Sequence, residues 1–417
     1  MGPLRFVEFE RYKAFADRQT MEVRPITLLF GHNSVGKSAA LRLLPVLAHS
    51  AGDHRPESFS PSILNYLSPA LRGATFSEIM NRGTRSGLSF SLKWADCEYS
   101  ITLRQNPSTK PLSRHELVSD FEMRAGAKVL LARLTDPDEE TYELTSGDWT
   151  ETAKLAFDGL KPALPANLTG DFGAVQEALR SFSSSVYWLA AVRAQPPRIF
   201  TLEPGTPTRI SHDGAGTAEA LRISALRGDG VAEAVSAWLA KACACELSFA
   251  ATDGQVFHDR EWFPFQVRSS GGAVAVPDVG EGVSQALPVV TLCHQAASGQ
   301  LGAHPILALE QPELHLHPRA GTLLAEEIVA CVAGGSPATH LVETHSENFL
   351  LALQVALLEG KLTRDQLLVY WVESGADGAQ LRRIEFDDAG YASAGWPEGV
   401  FREALEQARR ISELRIA

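Results

Sequence analysis

The sequence contains no run of 18 uncharged apolar residues, so no segment has the length and hydropathy of a membrane-spanning helix. Its opening, Met-Gly-Pro-Leu-Arg-Phe-Val-Glu, lacks the continuous apolar stretch of a secretory leader, and a cytoplasmic protein without a membrane partner is expected. Cysteine is scarce. Cys97, Cys243, Cys245, Cys293 and Cys331 are odd in number and scattered, which suggests neither a disulfide framework nor a zinc site with paired CxxC spacing. Basic residues are outnumbered, 38 Lys and Arg against 50 Asp and Glu, and the formal net charge of −12 argues against a surface that grips nucleic acid over its whole extent. No heptad pattern is sustained, which argues against the long coiled-coil arms of DNA tethers.

What is present is a chain of 417 residues, 45% hydrophobic, long enough for two domains or for one large head with a sizeable insertion. Residues 1–30 read as two or three strands, the last being the buried apolar run Ile26-Thr27-Leu28-Leu29-Phe30, followed by a helix from Lys37 to about His49. Leu88–Leu92, Tyr99–Leu103 and Lys128–Leu134 read as half-exposed strands of a β-rich insertion, with helical pieces around Val175–Ser181 and Val231–Lys241. From Ile306 onward, strands alternate with helices over Gly321–Val332 and Asn348–Glu359, the pattern of a mostly parallel sheet.

Gly31-His32-Asn33-Ser34-Val35-Gly36-Lys37-Ser38 fits GxxxxGK[ST] between an apolar strand and a helix, the context a phosphate loop requires. Loop N–H groups and the helix N-terminus would cradle phosphates, Lys37 would reach the outer ones, and the Ser38 hydroxyl would join the shell of Mg²⁺. Lys-Ser after the last glycine favours a nucleoside triphosphate over a dinucleotide. Ile306-Leu307-Ala308-Leu309-Glu310 is an apolar strand ending in a carboxylate, the placement expected of a metal-holding acid beside Ser38. His315 and His317, near Glu310 and Glu313, leave a transition-metal site as a weaker alternative that lacks partners. Leu341-Val342-Glu343-Thr344-His345-Ser346 ends a further strand in a histidine fitted to contact the terminal phosphate or orient water.

In this order the motifs resemble ABC/SMC-type AAA-family ATPases of bacteria, with heads related to those of OLD and Gabija systems, in a branch with a short tail domain of unknown function. Phe9 to Phe15 with Ile26 to Ser38 looks like the N-terminal strand pair and Walker A of that family. Asp278 to Pro288 looks like its signature motif, Glu310 to Pro318 its Walker B and D-loop, and Trp396 to Phe401 its tail. The resemblance implies an α/β P-loop head: a mixed sheet with flanking helices, a β-rich insertion and a helical lobe. The implied segments are 1–50, an insertion over 51–270, 271–364 with the remaining motifs, and a tail over 365–417. It implies ATP and Mg²⁺ as cofactors and a site composed from two heads, in which Gly282, Ser284 and Gln285 of one cap the triphosphate held by Gly31, Asn33, Ser34, Gly36, Lys37 and Ser38 of another. Lys13 looks like the basic strand residue that approaches the phosphates, and Arg193 has a family setting without an assigned role.

Two departures matter. Gln311 stands where ABC ATPases place the glutamate that activates water, and a neutral amide is no base. General-base help is worth roughly 10²- to 10⁴-fold, so slow hydrolysis is expected unless Glu313 or His345 substitutes. No glutamine lies between Lys37 and Gln105, so the usual Q-loop ligand is missing. The expected function is a nucleotide-driven dimer switch in anti-phage defence or a DNA-related process with a separate effector protein. The alternative is a nucleotide-dependent binding module with little hydrolysis. DNA contact would fall to Arg82, Arg85, Lys93, Arg104, Lys110 and Arg114, which a solvated sheet face explains equally well.

Overall fold

The structure, a computed structural model, describes residues 2–52, 62–83, 87–106, 116–203, 205–206, 208–249, 256–257, 260–375, 377–387, 390–392 and 410. The tail motif Trp396–Phe401 and the candidate DNA contacts Arg85, Lys110 and Arg114 lie outside these residues.

A six-stranded sheet organises the chain. Its order is Val186–Leu189, Ile306–Glu310, Thr339–Thr344, Ile26–Phe30, Leu367–Gly375, Gly378–Ile384, and all neighbours run parallel except the last pair. Ile26–Phe30 and Ile306–Glu310 are buried at every position, because helices or a second sheet cover both faces. Successive residues therefore serve two different cores. Leu29, Ala308, Leu341, Leu368 and Tyr370 pack on one side with Leu41, Leu44 and Leu47 of the helix Lys37–Ala51 and with an antiparallel sheet. Leu28, Leu307, Leu309, Val342 and Val369 pack on the other, against the helices Glu281–Ala297, Pro318–Ala333 and Glu347–Leu358. The mixed α/β head expected from the sequence is present.

The eight-stranded antiparallel sheet starts from the N-terminus and runs from Gln19–Glu22 and Leu4–Glu10 into the strands Leu88–Trp94 through Trp149–Lys154. From Phe6 to Glu10, past a register shift between Leu4 and Phe6, the strand Leu4–Glu10 alternates buried and more exposed residues, as a strand covered on one face must. The sheets cross the segment boundaries expected from the sequence. Leu4–Glu10 pairs with Leu88–Trp94 of the inserted region and carries Gln19–Glu22 on its other edge, neither joining the phosphate-loop strand, whereas Val186–Leu189, inside residues 51–270, is an edge strand of the central sheet. Leu367–Gly375, within the expected tail, pairs directly with Ile26–Phe30. No helix among the described residues is long and apolar enough to cross a membrane.

The two sheets are tied by Tyr370, whose buried hydroxyl accepts a hydrogen bond from the Glu22 N–H at 2.7 Å. Tyr370→Phe removes the acceptor and leaves that N–H unsatisfied, so unfolding in urea should show a loss of about 1–3 kcal/mol with an unchanged denaturant slope.

Candidate functional site

The loop from Gly31 to Ser38 joins the central sheet to the helix Lys37–Ala51. Gly31 has φ +147°, and a Cβ there would stand 2.4 Å from the Val372 carbonyl oxygen. Gly36, with φ +112°, caps the helix. Ser34 takes a left-handed φ of +64°, and Asn33 and Ser34 are exposed, so the loop presents backbone to solvent at the helix N-terminus. The buried Lys37 ammonium donates to the carbonyls of Gly31 at 2.9 Å and His32 at 2.5 Å. Burial pulls its pKa down to about 8, against the opposing pull of Glu343.

Lys13 lies not on a strand but in the turn after Leu4–Glu10, at φ +50°, with its backbone fixed by Ile79 and Asn81. Burial first, then the charges of Arg42 and Arg72, push its pKa down. Arg42 and Arg72 thus lie close enough to Lys13 to disfavour its charged form.

Glu310 ends its strand as expected, but its carboxylate is bonded to Arg42 and Trp188 and not to Ser38. Arg42 Nε donates to Oε1 and Arg42 Nη2 to Oε2, both at 2.5 Å, and Trp188 Nε1 adds a bond to Oε1 at 2.8 Å. The carboxylate that accepts from the Ser38 hydroxyl, at 2.7 Å, belongs to Glu343. Gln311 sits at φ +39°, its N–H donating to the Glu343 carbonyl at 2.7 Å, and this turn carries Glu313 inward. Glu313 Oε1 accepts from the Thr344 hydroxyl, while Oε2 is shielded from solvent with no partner among the described residues. Burial raises the Glu313 pKa. Burial, and then Lys37, keep the His345 pKa below the usual range, so the imidazole beside Gly31 is neutral at physiological pH.

The signature segment forms the start of the helix Glu281–Ala297, whose first residues Gly280 and Glu281 are exposed. A Cβ on Gly282 would lie 2.8 Å from the His315 carbonyl oxygen, so glycine lets the helix start pack on the turn after Glu310. The Ser284 hydroxyl donates to the Glu281 carbonyl at 2.9 Å and is buried. Gln285 spends its side-chain amide on Arg193, accepting from the Arg193 N–H at 3.0 Å and donating to the Arg193 carbonyl at 2.9 Å. Arg193 in turn donates to the carbonyls of Gln285 at 2.9 Å and Glu310 at 3.0 Å. Of the histidines weighed as metal ligands, His317 caps the helix Pro318–Ala333 by accepting from the Arg319 N–H, and His315 faces Glu281.

Residues 26–352 match the family described as "AAA domain, putative AbiEii toxin, Type IV TA system". The chain belongs to this AAA-domain family. No curated protein matches it. Among solved structures, an SMC head bound to the C-terminal winged-helix domain of ScpA aligns at 10% identity and a TM-score of 0.49, over 93% of this chain and 99% of that one. The SMC head domain from Thermotoga maritima aligns at 9% and 0.40, over 92% and 99%. A Pyrococcus furiosus Smc head with an extended coiled coil, bound to the C-terminal domain of ScpA, aligns at 9% and 0.45 over the whole of both chains. These likenesses are distant.

The site of this AAA-domain chain also holds residues whose roles the motifs did not give. Arg42 stands four residues after Ser38 and so on the same helix face, a spacing visible in the sequence. Trp188 and Glu343 carry no such local signal, since their roles depend on which strands are neighbours. Of the proposed DNA contacts that are described, Lys93 is bonded to Glu8 and lies 3.3 Å from Glu98, on a sheet face where Glu10, Asp120, Glu122 and Glu143 stand among Arg18, Arg124 and Arg133.

Lys37 supplies a test. Its amine titrates near 8 in the free protein, whereas a bound triphosphate needs the ammonium. Above pH 8 binding must therefore take up a proton, and ATP affinity should fall by up to about tenfold per pH unit. Calorimetry in buffers of different ionisation enthalpy reads the proton uptake, which Lys37→Ala should abolish together with most of the affinity.

Proposed function

We propose that the chain binds and hydrolyses ATP with Mg²⁺, and that two copies pair so that the signature segment of one closes the nucleotide held by the other. One observation carries this reading. Lys37, the Ser38–Glu343 pair and the neutral His345 converge on a single phosphate loop, with a carboxylate of raised pKa, Glu313, joined to the same strand end through Thr344. ATP would supply the phosphoryl group transferred to water, and Mg²⁺ the charge that offsets it.

The protein's own groups divide the work. Loop N–H groups and Lys37 bind the phosphates, Lys13 and Arg72 add positive charge, and Ser38 with a strand-end carboxylate holds the metal. Gln311 orients water as a hydrogen-bonding amide and takes no proton. Glu313, with one oxygen steadied by Thr344 and the other free, is the proton acceptor, and burial raises its basicity. His345 donates a hydrogen bond toward the outer phosphate. The exposed start of the signature helix is free to meet a second copy, where its unsatisfied N–H groups would face an anion.

A closed pair would then act as the switch read by a separate effector, in anti-phage defence or a DNA-related process. The paired charges around Lys93 do not favour a DNA-gripping sheet face. The binding-module reading is favoured by the one amide at the usual base position, Gln311, and the two readings differ in turnover.

Steady-state ATP turnover per subunit should rise with protein concentration and vanish in Lys37→Ala. Binding of ATP without turnover above that blank at any concentration would leave the binding module in place of the hydrolase. Glu313→Gln should lower turnover roughly 10²- to 10⁴-fold while ATP still binds, checked by calorimetry on the same preparation.

A further inference from the structure

The chain places two carboxylates at the ends of neighbouring strands, and they are not equivalent. Glu310 and Glu343 are in register across the parallel pair Ile306–Glu310 and Thr339–Thr344, and Glu343 is in register with Leu29 of the phosphate-loop strand. Thr339–Thr344 thus lies between the phosphate loop and Glu310. With strands about 4.8 Å apart, Glu310 starts roughly twice as far from the loop as Glu343 does.

The side chains follow this geometry. Glu343 accepts from Ser38 through Oε1, and its Oε2 is buried with no partner among the described residues. A buried carboxylate oxygen without a donor is rare in a folded protein and points to a missing ligand. Hard oxygen groups, a hydroxyl and a carboxylate side by side, suit a magnesium ion that also keeps water and phosphate oxygens. Glu310 offers no such opening. Both of its oxygens are taken by Arg42 and one also by Trp188, and a guanidinium in bidentate contact opposes the approach of a dication.

Resting on the nucleotide site proposed above, we infer that Glu343, the strand-end acid just before Thr344-His345, supplies the protein carboxylate of the magnesium shell. Glu310 is instead a positioning residue that holds Arg42 and Trp188 behind the site.

The test compares affinity for a non-hydrolysable ATP analogue in excess Mg²⁺ with that in EDTA, by calorimetry, so that the ratio isolates the metal contribution from turnover. Wild type should bind at least about tenfold tighter with Mg²⁺. Glu343→Gln, of the same shape, should lose that gain and keep its EDTA affinity. Glu343→Asp, which keeps the charge at shorter reach, should retain part of it and covers the case in which Glu343→Gln does not fold. The double variant Arg42→Gln/Glu310→Gln removes the ion pair as a unit, leaves no guanidinium free to drift onto Glu343, and should keep the Mg²⁺-to-EDTA ratio even where looser placement of helix and sheet lowers affinity in both media. The inference is overturned if the double variant loses the gain, or if Glu343→Gln or Glu343→Asp keeps all of it. It is equally overturned if wild type binds the analogue with no gain. Failure of wild type to bind in either medium would refute the nucleotide site itself.

Discussion

The buried ion pair between Arg42 and Glu310 is the interaction from which the site is hung. Arg42 belongs to the helix that follows the phosphate loop and Glu310 to the end of a central strand; together with Trp188 from the edge strand they lock three elements at one point. Such a pair is costly to desolvate, and losing one partner strands the other charge in the interior at about 3–5 kcal/mol. Its value therefore lies in position: it holds the helix and the sheet in one relative placement. On the far side of Glu310, its backbone carbonyl accepts from Arg193, which is bracketed by Gln285 on the signature helix. A continuous chain of contacts thus leads from the phosphate-loop helix to the helix that would face a second copy. It is a path in space; coupling along it would require two arrangements of its members.

The central sheet makes this economy workable by separating two cores. Alternation along its strands sends Leu29 and Leu341 to one side and Leu28 and Val342 to the other. Polar residues that cannot be buried cheaply are collected where the strands end: Glu310, Glu343 and Thr344 sit at carboxyl ends, where the helix begins and backbone groups are free. Ligands in open α/β sheets are held at those ends for the same reason. The antiparallel sheet on one side and the helices on the other leave that edge of the sheet as the place where charge, loop backbone and neutral histidine meet.

Much of this was legible locally. The phosphate loop declares itself because its glycines, lysine and serine act through backbone and side chain within eight residues. The helices expected over Gly321–Val332 and Asn348–Glu359 occur at Pro318–Ala333 and Glu347–Leu358, since apolar periodicity and the His317 and Ser346 caps are local features. The strand Val186–Leu189 escaped notice because its partner, Ile306–Glu310, lies more than a hundred residues away. The histidine pair near Glu310 suggested a ligand set, yet one member is a helix cap, a use that depends on where Pro318–Ala333 begins.

The sequence by itself determined the chemistry on offer: a loop of phosphate-binding pattern, one strand that ends in an acid and another that ends in a histidine, a neutral amide where a base is usual, and a glycine-led helix start. What it could not determine was the order of strands in space. Parallel neighbours are joined by crossovers whose length says nothing of which strand lies between which, so Glu310 alone read as the strand-end carboxylate and Glu343 stood unread beside His345. Only the tertiary fold placed Thr339–Thr344 between the phosphate loop and Ile306–Glu310, gave Ser38 to Glu343, and left Glu310 to Arg42. The physical reason is reach: a carboxylate acts over one strand spacing, and adjacency in a sheet is set by packing across the whole chain.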